Sequence, residues 1–531
     1  MDLRLVLRSL GMTRSLPWEN DEPIREELFG VERLEDHARS LAHAQASASG
    51  PNRGLSLTAR LGDNEAVLRD AFRTTIRAVA ADAAITPAAE WLIDNFHLVE
   101  RQIREVRADL PPGYYRQLPK LLVGPFAGYP RVLGVAWAYV AHTDSRCDAE
   151  MLRRYVRAYQ EVQPLTIGEL WAVAITLRVV LIENLRRLAV RIEQSQTERG
   201  DADVLADRLL GHDDGVPEPA ATVLADRLRD PVSDDFAVQF VHRLQDQHPD
   251  VAPALTWLDE RLGEAATSTD AATRRVHDRQ VGATVTVRNI ITSMRLISEI
   301  DWLQLFERMS PVHDVLSTGA LYLAMDFPTR NLYRTAIEDL ARSSPCSEIE
   351  IAAAAVHAAS AAKVADGATD RRRADPGYYL LAAGRPALEA TIGYRTPVRH
   401  WPQRLSRAMG VQGYGAVILA VAALILLVPL FMLLGMVGTA WLILLALLAA
   451  IPALDAAVGL VNAAVTRSVG ATYMPAIELR DGVPAELRTL VAVPVMLTLF
   501  ASIAEQIEGL EIHHLASLER FPISLDHIRR S

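Results

Sequence analysis

The chain has 531 residues, half of them hydrophobic, and a formal net charge of −10. This length allows about three domains, and the acidic balance argues against a general nucleic-acid-binding protein. The two cysteines, Cys147 and Cys346, lie far apart and give no metal-ligand spacing, which is typical of a protein from a reducing compartment.

The N-terminal segment does not match a secretory signal peptide, because Arg4 and Arg8 interrupt its short apolar run. We therefore expect the large N-terminal part of the chain to stay in the cytoplasm. Residues 1–60 are predicted to form a helix at about Arg25–Ala44, followed by a flexible linker rich in Ser, Ala and Gly.

Residues 61–196 show dense helical periodicity and are predicted to be the first part of a helical domain. The apolar spacing predicts one helix over Ala88–Leu110, ended by prolines. Thr166 and Glu169 form a capping-box pattern, since a hydroxyl and a carboxylate three residues later satisfy two free amides. This box is predicted to open a long helix that reaches the end of the segment.

Residues 197–280 differ from their surroundings, since they are acidic and interrupted by prolines. Two similar stretches, VLADRLLGH (204–212) and VLADRLRD (223–230), indicate a short duplication that is too brief for a solenoid. We predict a variable acidic insert of short, loosely packed helices. Residues 281–407 regain the helical pattern and are predicted to complete the helical domain.

Residues 408–467 are predicted to form a transmembrane hairpin. No Asp, Glu, Lys, Arg or His lies between Arg407 and Asp455, a run of 47 residues. As one helix this run would be roughly 70 Å long, more than twice the hydrocarbon core of a bilayer. Two spans with a glycine-rich turn are therefore expected, at about Tyr414–Met436 and Gly438–Val461. A buried core hairpin in a soluble protein fits less well, since such helices keep a polar stripe.

Basic residues set the expected orientation of the hairpin. Four arginines precede the first span and Arg467 follows the second, whereas the turn carries no charge. Because positive residues stay on the cytoplasmic side, both flanks are predicted to be cytoplasmic. Asp455 lies late in the second span, where it either reaches the interface or faces a protein partner.

Residues 468–531 change period and predict the start of an α/β unit. Leu490–Val493 reads as a short buried strand closed by Pro494, and Ser502–Leu515 reads as a helix. One such unit cannot close a nucleotide-binding sheet. The predicted fold class is thus mainly α: a cytoplasmic multi-helix domain, a two-helix transmembrane hairpin and an incomplete α/β fragment.

Long segments of residues 60–195 and 281–515 resemble the N-terminal region of cyclic β-1,2-glucan synthases. These segments, in chain order, are EWLIDNFHLVERQIREVRADLPPGYYRQLPKL, AYVAHTDSRCDAEMLRRYVRAYQEVQPLTIGELWAVAITLRVVLIENLRRLA, ISEIDWLQLFERMSPVHDVL, DFPTRNLYRTAIEDLAR, DPGYYLLAAGRPALEATIGYR and DGVPAELRTLVAVPVML. The resemblance implies a large multi-pass enzyme of the bacterial inner membrane that uses UDP-glucose to make an osmoregulated periplasmic glucan.

The resemblance also implies that this chain stops where the glycosyltransferase domain begins, since the tail LERFPISLDHIRRS departs from the family pattern. A truncated or frameshifted reading frame would have this effect. We therefore expect no catalytic, cofactor-binding or metal-binding residues here; UDP-glucose and a divalent metal ion would bind in the missing part. The expected partners are the lipid bilayer and the remaining synthase domains, and no activity is expected from the isolated chain. A stand-alone membrane scaffold that binds a partner enzyme is the alternative, and a complete small glycosyltransferase is disfavoured because the sheet cannot form.

Some residue groups carry chemistry but are better explained structurally. His142, Asp144 and Asp148 offer metal ligands within seven residues, yet helix capping and local ion pairs explain them better. His513 and His514 point to different helix faces, so a shared metal is not expected. Glu505 and Glu508 lie on one helix face, which is expected to be solvated. Val493 and Pro494 lie at the end of the predicted strand.

Several aromatic residues could form a surface on which glucan stacks, but core packing or anchoring at a membrane interface is favoured. These residues are Trp91, Tyr114, Tyr115, Trp137, Trp171, Tyr378 and Tyr379.

Overall fold

The computed structural model describes most of the chain as far as residue 478. The described residues are 18, 20–48, 56–81, 84–211, 218–225, 232–245, 251–365, 372–397, 401–434, 436–469 and 476–478. The mainly α prediction is confirmed, because these residues form 21 helices and only one two-stranded antiparallel ladder, Ser47–Ala48 (β1) with Lys120–Leu121 (β2). The predicted strand Leu490–Val493 and helix Ser502–Leu515 lie outside the described residues.

The first thirteen helices lie between residues 31 and 309. They are α1 Val31–Ala44, α2 Leu57–Ala80, α3 Pro87–Asp94, α4 Phe96–Asp109, α5 Pro112–Gln117, α6 Arg131–His142, α7 Ala149–Val162, α8 Ile167–Leu210, α9 Ala220–Ala225, α10 Asp234–Leu244, α11 Ala252–Glu264, α12 Thr269–Glu299 and α13 Trp302–Met309. The other eight follow. They are α14 Pro311–Leu316, α15 Ala320–Ala324, α16 Phe327–Ala341, α17 Glu348–Ala365, α18 Pro376–Leu381, α19 Arg385–Thr391, α20 Trp401–Leu433 and α21 Thr439–Val469.

The chain divides into two compact units. Unit 1 comprises residues 1–315 with 347–350, and unit 2 comprises residues 316–346 with 351–531. In unit 1, α8 is the central element, and α2, α4, α6, α10 and α12 pack along it. Nearly every residue of α8 from Ile167 to Ala189 is buried, so this helix is surrounded on all sides rather than exposing one face.

Local sequence signals explain why α8 begins where it does. The Thr166 hydroxyl accepts from the Glu169 amide, and the Glu169 carboxylate accepts from the Thr166 amide, which confirms the predicted capping box. The helix extends to Leu210, beyond its predicted end, and Gly211 ends it in the left-handed conformation that glycine adopts without strain.

Two other predictions about unit 1 need correction. The single helix expected over Ala88–Leu110 is two helices, α3 and α4, which meet at Asn95; its side-chain amide donates to the Trp91 carbonyl. The insert expected to be loosely packed has a buried apolar cluster, since Leu205, Phe236, Phe240 and Leu258 are each at most 6% exposed. The chain is acidic at its surface there, but its apolar residues still meet at helical spacing.

Unit 2 contains the hairpin, in which α20 and α21 pack against each other along Ile418, Ala422, Ala457 and Val461. Each of these helices has a proline in its interior, Pro429 in α20 and Pro452 in α21. In unit 2, α16 packs on α18, where the Tyr333 hydroxyl donates to Asp375 over a distance of 2.6 Å. The same Asp375 caps α18.

Candidate functional site

The three candidate ligands at the end of α6 all make structural contacts instead. Asp148 caps α7 by accepting from the Met151 amide over 2.8 Å. His142 stacks on Phe29, and its Nδ1 donates to the Glu27 carbonyl at 2.8 Å. Asp144 is 4% exposed and points to α12 instead of His142. The sequence grouped these residues because they are close in the chain, but the structure directs them to different elements.

The connection between α6 and α7 is a buried joint rather than a surface loop. Asp144 and Ser145 both have positive φ, of 50° and 63°, a conformation that non-glycine residues seldom adopt in succession. Asp144 accepts hydrogen bonds from Thr286 Oγ1 at 2.7 Å and Asn289 Nδ2 at 3.2 Å. Ser145 Oγ accepts from Asn184 at 2.8 Å, so contacts to α8 and α12 hold the strained turn in place.

A buried charge network lies at the centre of unit 1, and we call it the Glu183 network. The Glu183 side chain on α8 is fully buried. Arg60 of α2 donates to both of its oxygens at 2.9 Å, and Arg187 and Arg186 donate to Oε1 at 2.9 and 3.1 Å. The Arg187 guanidinium also lies 5.1 Å from the centroid of Trp137. The network therefore joins α2, α6 and α8.

The electrostatics of this network follow from burial and hydrogen bonding. Burial alone would raise the pKa of Glu183, but the hydrogen bonds from Arg60 and Arg187 outweigh it and lower the pKa. Burial lowers the pKa of Arg187, against the effect of Glu183. Glu183 is therefore held as a carboxylate, which suits an ion-pair centre and not a proton donor.

A groove with a volume of about 630 Å³ opens beside the insert helices of unit 1, within the usual size range for ligand pockets. Its charged lining includes Glu22, Arg25, Arg191, Asp234, Asp235 and Arg279. None of the seven candidate aromatic residues lines this groove. The groove thus has a mixed charged and aliphatic lining but no aromatic platform for stacking.

Each of these six charged residues already has an ion-pair partner, and the partner of Arg25, Asp144, lies outside the groove lining. Arg279 donates to Asp234 at 2.9 Å and to Asp235 at 3.0 Å, and Arg191 pairs with Glu22. Hydrogen bonding from Arg275, on the same helix as Arg279, lowers the pKa of Asp234. These pairs tie α10 to α12, and they provide neither a nucleophile beside a base nor a raised carboxyl pKa for acid catalysis.

The candidate aromatic residues are all partly buried, and most have a defined contact. Trp171 stacks on Phe306 with 4.2 Å between ring centroids, and Tyr378 meets Tyr379 edge-on at 5.2 Å. Tyr115 lies under the Lys120 ammonium group, and the Tyr114 hydroxyl donates to the Gly168 carbonyl. Within each unit, these rings are therefore partly buried and do not form a row of exposed rings.

The hairpin of unit 2 exposes apolar side chains, whereas the Glu183 network buries charged ones. Residues Val411–Leu433 and Thr439–Arg467 are long and apolar enough to cross a membrane, and only 11% of each apolar window is buried. Large apolar side chains are exposed along both helices, among them Phe431 at 75%, Leu447 at 67% and Ile451 at 79%. This exposure does not fit a core hairpin of a soluble protein.

The remaining sequence candidates lie outside the described residues. They are Val493, Pro494, Glu505, Glu508, His513 and His514. Among the residues that the structure does describe, no three His, Cys, Asp or Glu side chains come together in a way that could hold a metal ion.

No protein-family model matches this chain. Cyclic beta-(1,2)-glucan synthase NdvB from Rhizobium meliloti strain 1021 is 36% identical to it over 504 residues. The matched residues make up 94% of this chain but only 18% of that synthase, so the chain spans a small part of its relative's length. The predicted resemblance is confirmed: over nearly its whole length, this chain is similar to a cyclic β-1,2-glucan synthase.

Proposed function

We propose that this chain is a membrane-anchoring and regulatory part of a cyclic β-1,2-glucan synthase. The observation that carries the proposal is an exposed apolar hairpin in a chain that matches such a synthase over 94% of its length. Soluble monomers seldom expose apolar patches above a few hundred Å². In a bilayer, lipid tails would cover the apolar side chains of α20 and α21, whose exposure to water is unfavourable.

In this proposal the helical unit 1 is cytoplasmic and the hairpin crosses the inner membrane twice. Arg395 before α20 and Arg467 near the end of α21 support cytoplasmic flanks, because basic residues stay on that side. Single cysteines at Gly438 in the turn and at Arg395 would test this in intact cells. We expect a membrane-impermeant thiol reagent to label only the Gly438 position, and labelling of the Arg395 position alone would reverse the topology.

We place glucosyl transfer from UDP-glucose, and the divalent ion it would use, in the part of the synthase that this chain does not span. The described residues of this chain do not fit a metal site, and the buried carboxylates of Glu183 and Glu169 are paired with arginines. No step of the transfer is therefore assigned to them. The remaining synthase domains are the proposed partners of unit 1.

Membranes that carry only this chain test whether it is inactive alone. After incubation with labelled UDP-glucose, we expect no label in glucan, whereas membranes with a full-length synthase should incorporate it. Alkaline extraction of the same membranes reports anchoring, and the chain should stay with the lipid. Glucan made by the isolated chain would contradict the proposed division of labour, and release by alkali would contradict the anchor.

A further inference from the structure

Asp455 is the ionisable side chain that interrupts the apolar stretch of α21. The residue is exposed, and among the described residues none donates a hydrogen bond to its carboxylate or forms an ion pair with it. Ionisable residues inside membrane spans are rare, and they generally face a protein partner or a water-filled cavity. Its depth and its direction decide which partner this carboxylate can meet.

The hairpin contains its own marker of depth. The Tyr414 hydroxyl of α20 donates to Asn462 Oδ1 of α21 at 2.5 Å, and tyrosine prefers the membrane–water interface. The part of α20 from Tyr414 to its end at Leu433 is about 29 Å long, which matches the ~30 Å thickness of a hydrocarbon core. The Tyr414–Asn462 pair therefore marks one edge. Asp455 precedes Asn462 by seven residues, which places it about 10 Å inside the hydrocarbon.

Asp455 also faces away from the other helix of the hairpin. Ala457 and Val461 form the α21 side of the contact with α20. Asp455 is two residues from Ala457 and so lies about 200° around the helix axis from it. On the side of Asp455 lies the exposed Gly459, and a Cβ added there would meet nothing within 4 Å. Another helix backbone can approach this face closely.

We propose that the Asp455 face of α21 binds a further membrane-spanning helix that carries a cationic side chain at the same depth. The proposal rests on the proposed membrane insertion of the hairpin. An isolated carboxylate in hydrocarbon is costly, and a basic partner compensates its charge where water cannot. A second copy of the hairpin packed through this face would bring two Asp455 carboxylates together, and their repulsion disfavours that occupant.

The whole chain, reconstituted in phosphatidylcholine vesicles, tests the proposal with a synthetic probe. The probe is a leucine-rich transmembrane peptide with one arginine about 10 Å from its end, and a matched peptide has leucine there. Resonance energy transfer between labelled chain and peptide reports binding. We expect about tenfold tighter binding of the arginine peptide. Asp455→Asn should abolish this preference, whereas the neighbouring control Leu454→Ala should keep it.

The other outcomes separate the occupants. Equal binding of both peptides overturns the proposal. Energy transfer between two labelled copies without peptide, increased in Asp455→Asn because the carboxylate repulsion is removed, overturns it in favour of self-association. Alkaline extraction of the same vesicles reports insertion independently, so a chain that stays inserted but shows no arginine preference refutes only this inference, whereas a released chain also refutes the anchor.

Discussion

The Glu183 network and the α20–α21 hairpin place charge in opposite ways. Unit 1 buries a carboxylate and surrounds it with guanidinium groups from two helices, whereas the hairpin exposes apolar side chains and has almost no charge. The first arrangement is stable only while every buried charge has its partner. The second exposes apolar side chains that a lipid bilayer would cover. Under the proposed function, the chain thus combines a helical unit that lies in water with a hairpin that lies in lipid.

The largest effect is expected from removing the central carboxylate. Glu183→Ala leaves the buried guanidinium groups without their shared anion, and breaking a buried ion pair costs about 3–5 kcal/mol. Circular dichroism of the detergent-solubilised chain during urea unfolding measures the decrease in the free energy of unfolding. Glu198→Ala, a change at a partly exposed position of the same helix, is the control and should cost less than about 0.5 kcal/mol. Equal losses in both variants would show that the network is not a stability centre.

The next largest effect is expected in the hairpin, where an added charge should weaken membrane insertion. Leu424 is 63% exposed and lies ten residues into the proposed span from Tyr414. An arginine at the centre of a bilayer span costs about 2.5–3.5 kcal/mol in insertion. Leu424→Arg should therefore lower the fraction of chain that resists alkaline extraction, and Val411→Arg at the edge of the span should not. If both variants stay inserted equally, the hairpin does not have the predicted depth.

Acid should weaken the Glu183 network. The pKa of Glu183 is lower in the folded chain than in the unfolded chain, where it is about 4.3. Its stabilisation is therefore complete above the unfolded value and is lost as the pH falls through the folded value. We expect the difference in urea midpoint between the wild-type chain and Glu183→Gln to shrink from pH 6 towards pH 3. A constant difference would mean that Glu183 does not titrate with folding.

Sequence reasoning succeeded where the cause is local. Capping is the favoured explanation for Asp148, which indeed caps α7, and the start of α8 follows from Thr166 and Glu169. The apolar hairpin is evident because helices of water-soluble proteins keep a polar stripe, which a run of 47 residues without charge does not provide. In each case a few neighbouring residues contain the whole physical reason.

Sequence reasoning failed where the cause is distant in the chain. Glu183 lies in a helix whose apolar residues suggest only a core, and its main partner, Arg60, is 123 residues away. Asp144 looked like one of three clustered ligands, but Thr286 and Asn289 on α12 satisfy it. A buried Glu in the run VVLIENLRR is the available signal, because an acid in so apolar a stretch needs a cation. Which arginine supplies it depends on the packing.

The smallest effect is expected at the start of α8, and it tests whether the helix that holds Glu183 depends on its local signal. Thr166→Ala removes the hydroxyl that accepts from the Glu169 amide, so the loss should be about 1 kcal/mol, the typical value of an N-cap. Thr166→Ser keeps the hydroxyl and is the matched control. The carboxylate of Glu169 remains bound by Arg131 at 2.5 Å, so the helix should still begin at the same residue. A loss as large as that of Glu183→Ala would instead mean that the cap and the Glu183 network unfold as one unit, and the contrast between local and distant causes would disappear within α8.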